Sequence, residues 1–444
     1  MGAFWQPTGK TAALLGFGLS NQTLLDYLLA CGLSVTLRDR KPISPQMARG
    51  LPTITGNGYL LGLTEDLLFR SPGLRPDLPP LTAAVAHGAR LLGEYDLFAA
   101  LCPATMLGVT GSDGKTTTTT IAGHMLHAAG HTAYIGGNIG APLIASLPAV
   151  QAGEIALAEL SSFQLMTAPR PPHRAVITNI TENHLNWHKD MAEYVAAKAN
   201  ILGPATHAVL NAENPYTAAM ARRRADKTLF SIYRSSRALR AAFGPCHTVT
   251  LESGMLTYDE KPLFPAADIL LPGQHNKENY LAAIGLVYPY VTPAHMQAVA
   301  RRFGGVPHRM EYVGDLHGVS YYNSSIDSTP SRTAATLAAL GKKPILLCGG
   351  RGKGLSPAPL CRAAATYAAA VILFGEAGPA LQEALRPLPI PLRLCPTMQD
   401  AIAAAKAMAQ PGDSILLSPA CTSFDEFDNF EQRGEAFRRA VSVE

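Results

Sequence analysis

The sequence predicts an α/β protein built on mostly parallel sheets, because an apolar strand, a glycine-rich turn and a helix occur in that order three times in 444 residues. The first occurrence is TAALLGFGLSNQTLLDYLLACG, followed by a second strand, SVTLRD. The next is ATMLGVTGSDGKTTTTTIAGHMLHAAG, in which Met106 to Val109 form a predicted strand and Lys115 to Ala129 a predicted helix. The third is KKPILLCGGRGKGLS. Each occurrence opens a candidate domain.

The length of the chain exceeds what one hydrophobic core usually supports, so two or three domains are expected. The segment AAFGPCHTVTLESGMLTYDEKPLFPAADILLPG alternates as short strands around turn residues, which predicts an antiparallel addition to the central sheet. Gly304 and Gly305, just before PHRMEYV, form a plausible hinge. We place the domain boundaries near residues 102 and 303, which gives domains 1–102, 103–303 and 304–444.

The composition is typical of a soluble globular enzyme, with 47% hydrophobic and 16% charged residues. The formal charge of +4 comes without a dense basic stripe, which argues against nucleic-acid binding. The seven cysteines are scattered and never spaced as CxxC, which favours free thiols in a reducing compartment. The apolar run TAALLGFGL is short and no run is long enough to span a bilayer, so we expect a cytoplasmic protein without membrane insertion.

The stretch TGSDGKTT indicates a phosphate-binding loop between a strand and a helix. Backbone amides of such a loop converge on phosphate oxygens, while Lys115 supplies charge and Thr116 a hydroxyl that can face Mg²⁺. The spacing GxxxxGK[ST] is not met, because Val109 stands where that motif requires glycine. An ordinary glycine-rich turn is the alternative interpretation.

Gly16-x-Gly18 is a weaker indication of nucleotide binding, because Asn21 stands where a dinucleotide-binding motif has its third glycine. Asp39 ends the second strand at a distance suited to a ribose, so NAD remains an alternative ligand. The basic neighbours of Asp39 suit a phosphorylated ligand equally well.

Three polar residues follow or flank apolar strands near this loop. Glu159 lies just beyond one strand, His184 follows another, and Lys198 lies on a predicted helix, AEYVAAK. An acid and an imidazole at neighbouring strand ends could hold magnesium. The alternatives are a packed histidine and a lysine on a solvated helix face.

Further along the chain, GQHNKENYLAA places Asn276 and Asn279 near the start of a helix, where capping explains one asparagine and ligand recognition would explain both. The loop CGGRGKG offers a second anion site through Arg351 and Lys353. The segment SPACTSFDEFDNFEQRGEAF places Ser423 and Phe430 ahead of a C-terminal helix.

Taken in order, TGSDGKTT, GGNIG, ELSSFQ, NITENHLNWH, YVAAK, GQHN, PHRME, GGRGKG and SPACTSFDEFDNFEQRG resemble the motifs of the Mur ligase family of bacterial cell-wall synthesis. The resemblance spans almost the whole chain and is strongest to members that add D-glutamate to UDP-N-acetylmuramoyl-L-alanine. It implies a Rossmann-like N-terminal domain for the UDP-sugar, a central P-loop-type ATPase domain and a Rossmann-like C-terminal domain for the amino acid. ATP would phosphorylate the substrate carboxylate, and the amine of the amino acid would then displace the phosphate.

The resemblance also implies roles for individual residues. The ATP site would comprise Gly111, Gly114, Lys115, Thr116, Thr117, Asn276 and Arg309. Magnesium would be held by Thr116, Glu159, His184 and Lys198, the last as a carbamate, and the catalytic residues would be Lys115, Glu159, His184 and Lys198. The substrates would contact Leu19, Ser20, Asp39, Arg40, Lys41, Gly73, Asn138, Gln164, Ser328, Lys353, Ser423 and Phe430. The implied cofactors are ATP and Mg²⁺, and a monomer suffices.

Two departures from the family pattern stand out. The usual Asn-Asp-Ser-Lys string appears as Asn323-Ser324-Ser325-Ile326, with Asp327 one residue later, and Asn183 stands where an acid commonly precedes the histidine. A sister ligase for another amino acid, a nucleotide-binding subunit without ligase activity and an NAD-dependent oxidoreductase are the alternative functions.

Overall fold

The computed structural model describes residues 10–168 and 170–441. Within these residues the strands form three sheets, of five, nine and six strands, with helices connecting most of the parallel strands. The predicted α/β fold class is therefore confirmed. No helix in this part of the chain is long and apolar enough to cross a membrane.

The N-terminal sheet is entirely parallel and has the order β3-β2-β1-β4-β5. Its strands are β1 (Thr11–Leu15), β2 (Ser34–Asp39), β3 (Thr53–Thr55), β4 (Leu67–Arg70) and β5 (Arg90–Leu92), and its helices are α1 (Leu19–Ala30), α2 (Pro45–Ala48), α3 (Pro79–Ala86) and α4 (Glu94–Leu101). The strand order reverses between β1 and β4, and ligands of such sheets bind at the carboxyl ends of the strands beside that point. The sheet therefore directs the ends of β1, β2 and β4 towards one crevice.

The central sheet has the order β14-β13-β12-β11-β10-β9-β6-β8-β7. Its strands are β6 (Thr105–Thr110), β7 (Ala133–Gly137), β8 (Ile155–Glu159), β9 (Arg174–Ile177), β10 (His207–Asn211), β11 (Lys227–Ser231), β12 (His247–Glu252), β13 (Met255–Tyr258) and β14 (Lys261–Pro265). The helices that follow in this part of the chain are α5 (Lys115–Ala128), α6 (Ser162–Leu165), α7 (Met191–Ala199), α8 (Pro215–Arg222), α9 (Ser236–Phe243), α10 (Gln274–Val287) and α11 (Pro293–Ala300). Short 3-10 helices cover Leu143–Ser146, Ala266–Asp268 and Tyr288–Tyr290. The pairs β12/β13 and β13/β14 are antiparallel, which confirms the predicted antiparallel addition.

The C-terminal sheet has the order β15-β16-β20-β17-β18-β19, with only the β15/β16 pair antiparallel. Its strands are β15 (Glu311–Leu316), β16 (Val319–Asn323), β17 (Ile345–Gly349), β18 (Ala370–Phe374), β19 (Leu392–Leu394) and β20 (Ser414–Ala420). Its helices are α12 (Pro330–Leu340), α13 (Ala358–Tyr367), α14 (Gly378–Leu385), α15 (Met398–Met408) and α16 (Phe430–Val441). Successive side chains of its strands bury on opposite faces, so Leu347 and Leu417 belong to one apolar cluster and Leu346 and Leu416 to the other.

The described chain divides into two compact units: residues up to Asp268 together with Lys277–Val299 in one, and Ile269–Asn276 together with the residues from Ala300 in the other. In the first unit one continuous cluster of buried apolar side chains joins the N-terminal and central sheets, from Leu14 and Leu97 to Met106 and Ile177. These two sheets thus share a core, and the proposed domain boundaries near 102 and 303 remain predictions.

Candidate active site

The loop between β6 and α5 strongly favours glycine at two of its positions. Gly111 has φ 153°, and a Cβ atom there would lie 1.8 Å from Thr178 Oγ1. Gly114 has φ 77°, and a Cβ atom there would lie 2.3 Å from Asn279 Oδ1. The loop is therefore pressed against the end of β9 on one side and against α10 on the other.

The ammonium group of Lys115 lies within this loop. Its Nζ donates to the carbonyl oxygens of Gly111 at 3.0 Å and Ser112 at 2.9 Å. Thr116 is buried in the first turn of α5, and Thr117 is half-buried beside it. A helix N-terminus with convergent amides and a lysine is an arrangement that binds phosphate. The geometry fits the phosphate site predicted from TGSDGKTT.

The remaining threonines of the run serve packing. Thr118 and Thr119 are fully buried, and Thr118 Oγ1 contacts Asn279 Oδ1 at 3.4 Å. Thr120 Oγ1 donates to the carbonyl oxygen of Thr116 at 2.8 Å, the local bond that threonine commonly makes within a helix. Asn279 is thus a loop-supporting residue, a role that its place near a helix start did not reveal.

Glu159 is the last residue of β8, beside Val109 of β6, and is 1% exposed. Its Oε1 accepts a hydrogen bond from Asn138 Nδ2 at 2.8 Å, whereas its Oε2 is buried without a hydrogen-bond partner among the described residues. Burying such an oxygen is costly unless another group satisfies it. Asn138, predicted to contact substrate, is here bonded to the carboxylate of Glu159.

His184 lies on an exposed turn with φ 56°, and its ring packs edge-on against Phe163 with the ring centroids 5.0 Å apart. Asn183, which replaces the acid of the family pattern, accepts the backbone N–H of His184 at 2.8 Å. Partial desolvation and the positive charges of Lys115 and Lys198 lower the pKa of His184. The imidazole is therefore neutral at physiological pH, the form that binds metal ions.

Lys198 is 2% exposed, so the helix-surface interpretation is wrong for this residue. Its Nζ donates to the carbonyl oxygen of Gly111 at 2.6 Å and lies 4.7 Å from the centre of the Tyr194 ring. Burial and the nearby Lys115 lower the pKa of Lys198 to about 7, although Asp113 and Glu159 act in the opposite direction. A substantial fraction of this amine is neutral near pH 7.

The described residues contain no group of three or more His, Cys, Asp and Glu side chains that could hold a metal ion. Glu159 and His184 supply only two such side chains, and the third group of the predicted set is a lysine. The buried Oε2 of Glu159 nevertheless fits a hard cation such as Mg²⁺, which binds oxygen ligands and takes some of them from substrate phosphates.

The N-terminal crevice collects most of the residues predicted for the UDP-sugar. Leu19, 65% exposed, begins α1 together with Ser20. Asp39 ends β2, where its carboxylate accepts the backbone N–H groups of Phe17 at 2.6 Å and Lys41 at 2.7 Å. These contacts fix the loops that follow β1 and β2.

Arg40 and Lys41 are exposed beside this crevice, and Gly73 follows β4. Asn21, which replaces the third glycine, is fully buried and donates to carbonyl oxygens of Leu15, Gly16 and Phe69. It therefore links β1 to β4, which explains an asparagine at this position. Gln164, another predicted substrate contact, is buried and caps α6 by accepting from Ser161.

In the second compact unit, Lys353 Nζ donates to Ser328 Oγ at 3.0 Å, so two residues predicted for the amino-acid site lie together. Lys353 also lines a cavity of about 190 Å³ together with Leu355 and Cys421. Ser328, Ser423 and Phe430 are outside its lining. Ser423 is buried in the turn before α16, and Phe430 begins that helix.

The two residues of this unit predicted to contact ATP take part in local turns. Asn276 Nδ2 donates to the carbonyl oxygen of Pro272 at 2.7 Å, and the backbone N–H of Arg309 donates to Val306 at 3.0 Å.

The loop that departs from the family pattern is buried. Ser324 Oγ accepts the backbone N–H of Met310 at 3.1 Å, and Ser325 Oγ donates to the carbonyl oxygen of Phe430 at 2.8 Å. Arg433, only 1% exposed, donates to both the hydroxyl and the carbonyl oxygen of Ser325. Ser324, which replaces the acid of the family pattern, therefore takes part in local hydrogen bonding, and Ser325, which matches the pattern, has a buried partner, Arg433, that the motif did not indicate.

Comparison with known proteins identifies the family. Residues 109–287 match the Mur ligase middle domain, and residues 308–421 match the Mur ligase glutamate ligase domain. The chain belongs to the Mur ligase family. It is 41% identical to the UDP-N-acetylmuramoylalanine--D-glutamate ligase of Symbiobacterium thermophilum, with 98% of both chains covered. It is 39% identical to the ligase of the same name from Ruminiclostridium cellulolyticum, with 98% of this chain and 96% of that protein covered.

Solved structures show the same Mur ligase fold at lower identity. The UDP-N-acetylmuramate-alanine ligase of Thermotoga maritima aligns with a TM-score of 0.57 and 17% identity over 98% of this chain and 100% of the other. A pseudomurein peptide ligase from Methanothermus fervidus aligns with a TM-score of 0.52 and 18% identity over 98% of this chain and 99% of the other. These likenesses concern the fold alone.

Proposed function

We propose that this Mur ligase joins D-glutamate to UDP-N-acetylmuramoyl-L-alanine at the expense of ATP, in the cytoplasmic synthesis of peptidoglycan precursors. The supporting observation is 41% identity over nearly the full length to a ligase named for that reaction. Within this chain, the loop around Lys115 and the buried side chains of Glu159 and Lys198 support the proposal. ATP and Mg²⁺ are the proposed cofactors, and a monomer suffices.

The reaction must make a carboxylate electrophilic. The carboxylate oxygen of the substrate attacks the γ-phosphorus of ATP, the bond to ADP breaks, and an acyl phosphate forms. The amine of D-glutamate then attacks the acyl carbon, loses a proton and expels inorganic phosphate, which leaves an amide.

The chain supplies groups that bind and orient the phosphates during this transfer. The backbone amides at the N-terminus of α5 and the ammonium of Lys115 would face the negative charge of the phosphates, and a fixed donor set stabilises such charge without reorganisation. Magnesium, when bound, neutralises charge on the transferring phosphoryl group. Thr116, Glu159 and His184 would hold it.

Lys198 is proposed to act as a carbamate. Its neutral amine adds to the carbon of CO₂ and loses a proton, which converts a cation into an anion. The low pKa of about 7 makes this addition feasible near neutral pH, because only the neutral amine is nucleophilic. The product would add an oxygen donor near Glu159, where the described residues supply only two metal-ligating side chains of the predicted set, Glu159 and His184.

The amino-acid site is proposed around Lys353 and Ser328. The cavity of about 190 Å³ beside Lys353 is of a size for one amino acid, and an ammonium with a hydroxyl suits the side-chain carboxylate of glutamate.

Phosphate release tests this function. The purified protein is incubated with ATP, Mg²⁺ and UDP-N-acetylmuramoyl-L-alanine, and inorganic phosphate is measured across a panel of amino acids. Release that requires D-glutamate supports the proposal. Preference for another amino acid would identify a sister ligase, and ATP binding without release would identify a nucleotide-binding subunit.

Chemical rescue tests the carbamate. Lys198→Ala should lose most of the ligase activity and regain part of it when short carboxylic acids are added, because these can replace the missing anion. Unchanged activity in Lys198→Ala would refute the role.

A further inference from the structure

A cluster of side chains fastens the loop after β4 to the segment that connects His184 to α7. Its members, here called the clamp, are Arg75, Asp77, Trp187, Lys189 and Glu193. Trp187 Nε1 donates to the carbonyl oxygen of Gly73 at 2.8 Å. In return, Arg75 Nη1 donates to the carbonyl oxygen of Trp187 at 2.6 Å, and its guanidinium lies 4.9 Å from the centre of the indole ring. Each of the two segments thus donates a side-chain hydrogen bond to a backbone carbonyl of the other.

The ion pairs of the clamp are extensive and partly shielded. Arg75 binds both oxygens of Glu193, at 2.8 and 3.1 Å, and both oxygens of Asp77, at 2.8 and 2.9 Å. Lys189 Nζ lies 2.8 Å from Asp77. The side chains of Arg75 and Glu193 are each 18% exposed. Contacts between a guanidinium and both oxygens of a carboxylate restrict the relative orientation of the two side chains, in addition to their electrostatic attraction.

The clamp extends to the residues proposed to hold magnesium. Glu193 lies in the first turn of α7, the helix that carries Lys198, and also contacts His188 Nδ1 at 3.2 Å. Phe163, close after Glu159, packs against Trp187 at 4.4 Å and against His184 at 5.0 Å between ring centroids. The clamp therefore lies between the loop of Gly73 and the turn of His184.

We propose that Arg75 and Trp187 are positioning residues that link occupancy of the UDP-sugar crevice to the arrangement of His184 and Lys198. The inference rests on the proposed function, because Gly73 contacts the uridine diphosphate only under that assignment. A ligand that orders the Gly73 loop also orders Trp187, because the indole N–H of Trp187 donates to Gly73. Trp187 and Glu193 in turn hold the turn that carries His184. Coupling between two binding sites is reciprocal. If the UDP-sugar strengthens the binding of Mg²⁺ with a nucleotide, then Mg²⁺ with a nucleotide must strengthen the binding of the UDP-sugar by the same factor.

The chain has two tryptophans, Trp5 and Trp187, so Trp5→Phe leaves Trp187 as the only indole. Trp5 is outside the described residues. We expect UDP-N-acetylmuramoyl-L-alanine, added without ATP or Mg²⁺, to change the fluorescence of Trp187 with the Kd that calorimetry gives. In calorimetry with Mg²⁺ and a non-hydrolysable ATP analogue, the UDP-sugar should bind at least about 5-fold tighter than it does without them.

The variants separate positioning from mere stability. Arg75→Gln should bind both ligands but lose the coupling between them. Its affinity for the UDP-sugar with Mg²⁺ and the ATP analogue should then agree within about 2-fold with its affinity in their absence. Trp187→Phe, which keeps ring packing but lacks the N–H, should show the same loss. Arg240→Gln is the matched control, because Arg240 also pairs with two carboxylates, those of Asp259 and Glu260, and it should retain the enhancement.

Three results would overturn the inference. One is calorimetric binding of the UDP-sugar without any change in Trp187 fluorescence. Another is an undiminished enhancement in folded Arg75→Gln and Trp187→Phe. The third is absence of UDP-sugar binding to the parent protein, which would overturn the proposed function as well.

Discussion

Glu94 lies at the start of α4, is 4% exposed, and faces a small cavity that Arg70, Asp96 and Gln164 also line. Its Oε1 accepts the backbone N–H of Ile144 at 2.8 Å. Burial, and to a lesser extent Asp96, raise the pKa of Glu94 from 4.5 to about 7. The folded protein therefore favours the protonated form of this carboxyl group.

This pKa fixes the sign of the pH dependence. Below pH 4.5 the group is protonated in both states and carries no penalty. Between pH 4.5 and about 7 the unfolded chain loses the proton first, so the stability falls as the pH rises. Above pH 7 the loss of stability is complete. One pKa unit corresponds to 1.36 kcal/mol, so a pKa raised by about 2.5 lowers the free energy of unfolding by roughly 3 kcal/mol. Glu94→Gln should remove this cost and still accept from Ile144.

Thermal unfolding at pH 5 and pH 8 tests the reasoning. Glu94→Gln should raise Tm by several degrees at pH 8 and have little effect at pH 5. The control is Glu65→Gln, because Glu65 is buried but paired with Arg38 at 2.9 Å. That variant should lose about 3–5 kcal/mol of stability at both pH values, since it removes the counter-charge of a buried guanidinium. A Glu94→Gln protein that is equally or less stable than the parent at pH 8 would refute the argument.

Three further predictions concern the candidate active site. Lys115→Met should reduce D-glutamate-dependent phosphate release by at least about 10²-fold in folded protein, and near-normal release would contradict its role at the phosphates. Glu159→Gln should raise the Mg²⁺ concentration for half-maximal activity by about 10–100-fold, and an unchanged Mg²⁺ requirement would exclude Glu159 as a ligand. Gly114→Ala should cost about 1–3 kcal/mol in denaturant unfolding, because φ is 77° and the new Cβ would meet Asn279, and a neutral effect would show that the loop relaxes easily.

The local part of the fold and site could be predicted from the sequence. The helix predicted from Lys115 to Ala129 runs from Lys115 to Ala128, and SVTLRD forms β2 as expected. Such elements follow from apolar periodicity and glycine placement, which act over a few neighbouring residues. The phosphate loop could be predicted for the same reason, because its donors all come from one short segment of the chain.

Contacts between distant segments could not be predicted in this way. Lys198 meets Gly111, 87 residues earlier, and the pattern of AEYVAAK gives no sign that its lysine is buried. Asn138 bonds Glu159, and Arg75 bonds Glu193, for reasons that depend on sheet order and loop packing. The shared core of the first two sheets is a further example, because apolar patterns mark which faces are buried but not against what.

The central claim, activation of a carboxylate by ATP, has a direct isotopic test. UDP-N-acetylmuramoyl-L-alanine labelled with ¹⁸O in its carboxylate is turned over with ATP, Mg²⁺ and D-glutamate, and the inorganic phosphate is examined by ³¹P NMR. An acyl phosphate keeps one substrate oxygen bridging carbon and phosphorus, so each released phosphate should carry one ¹⁸O. Phosphate free of the label, with the amide formed, would contradict the mechanism.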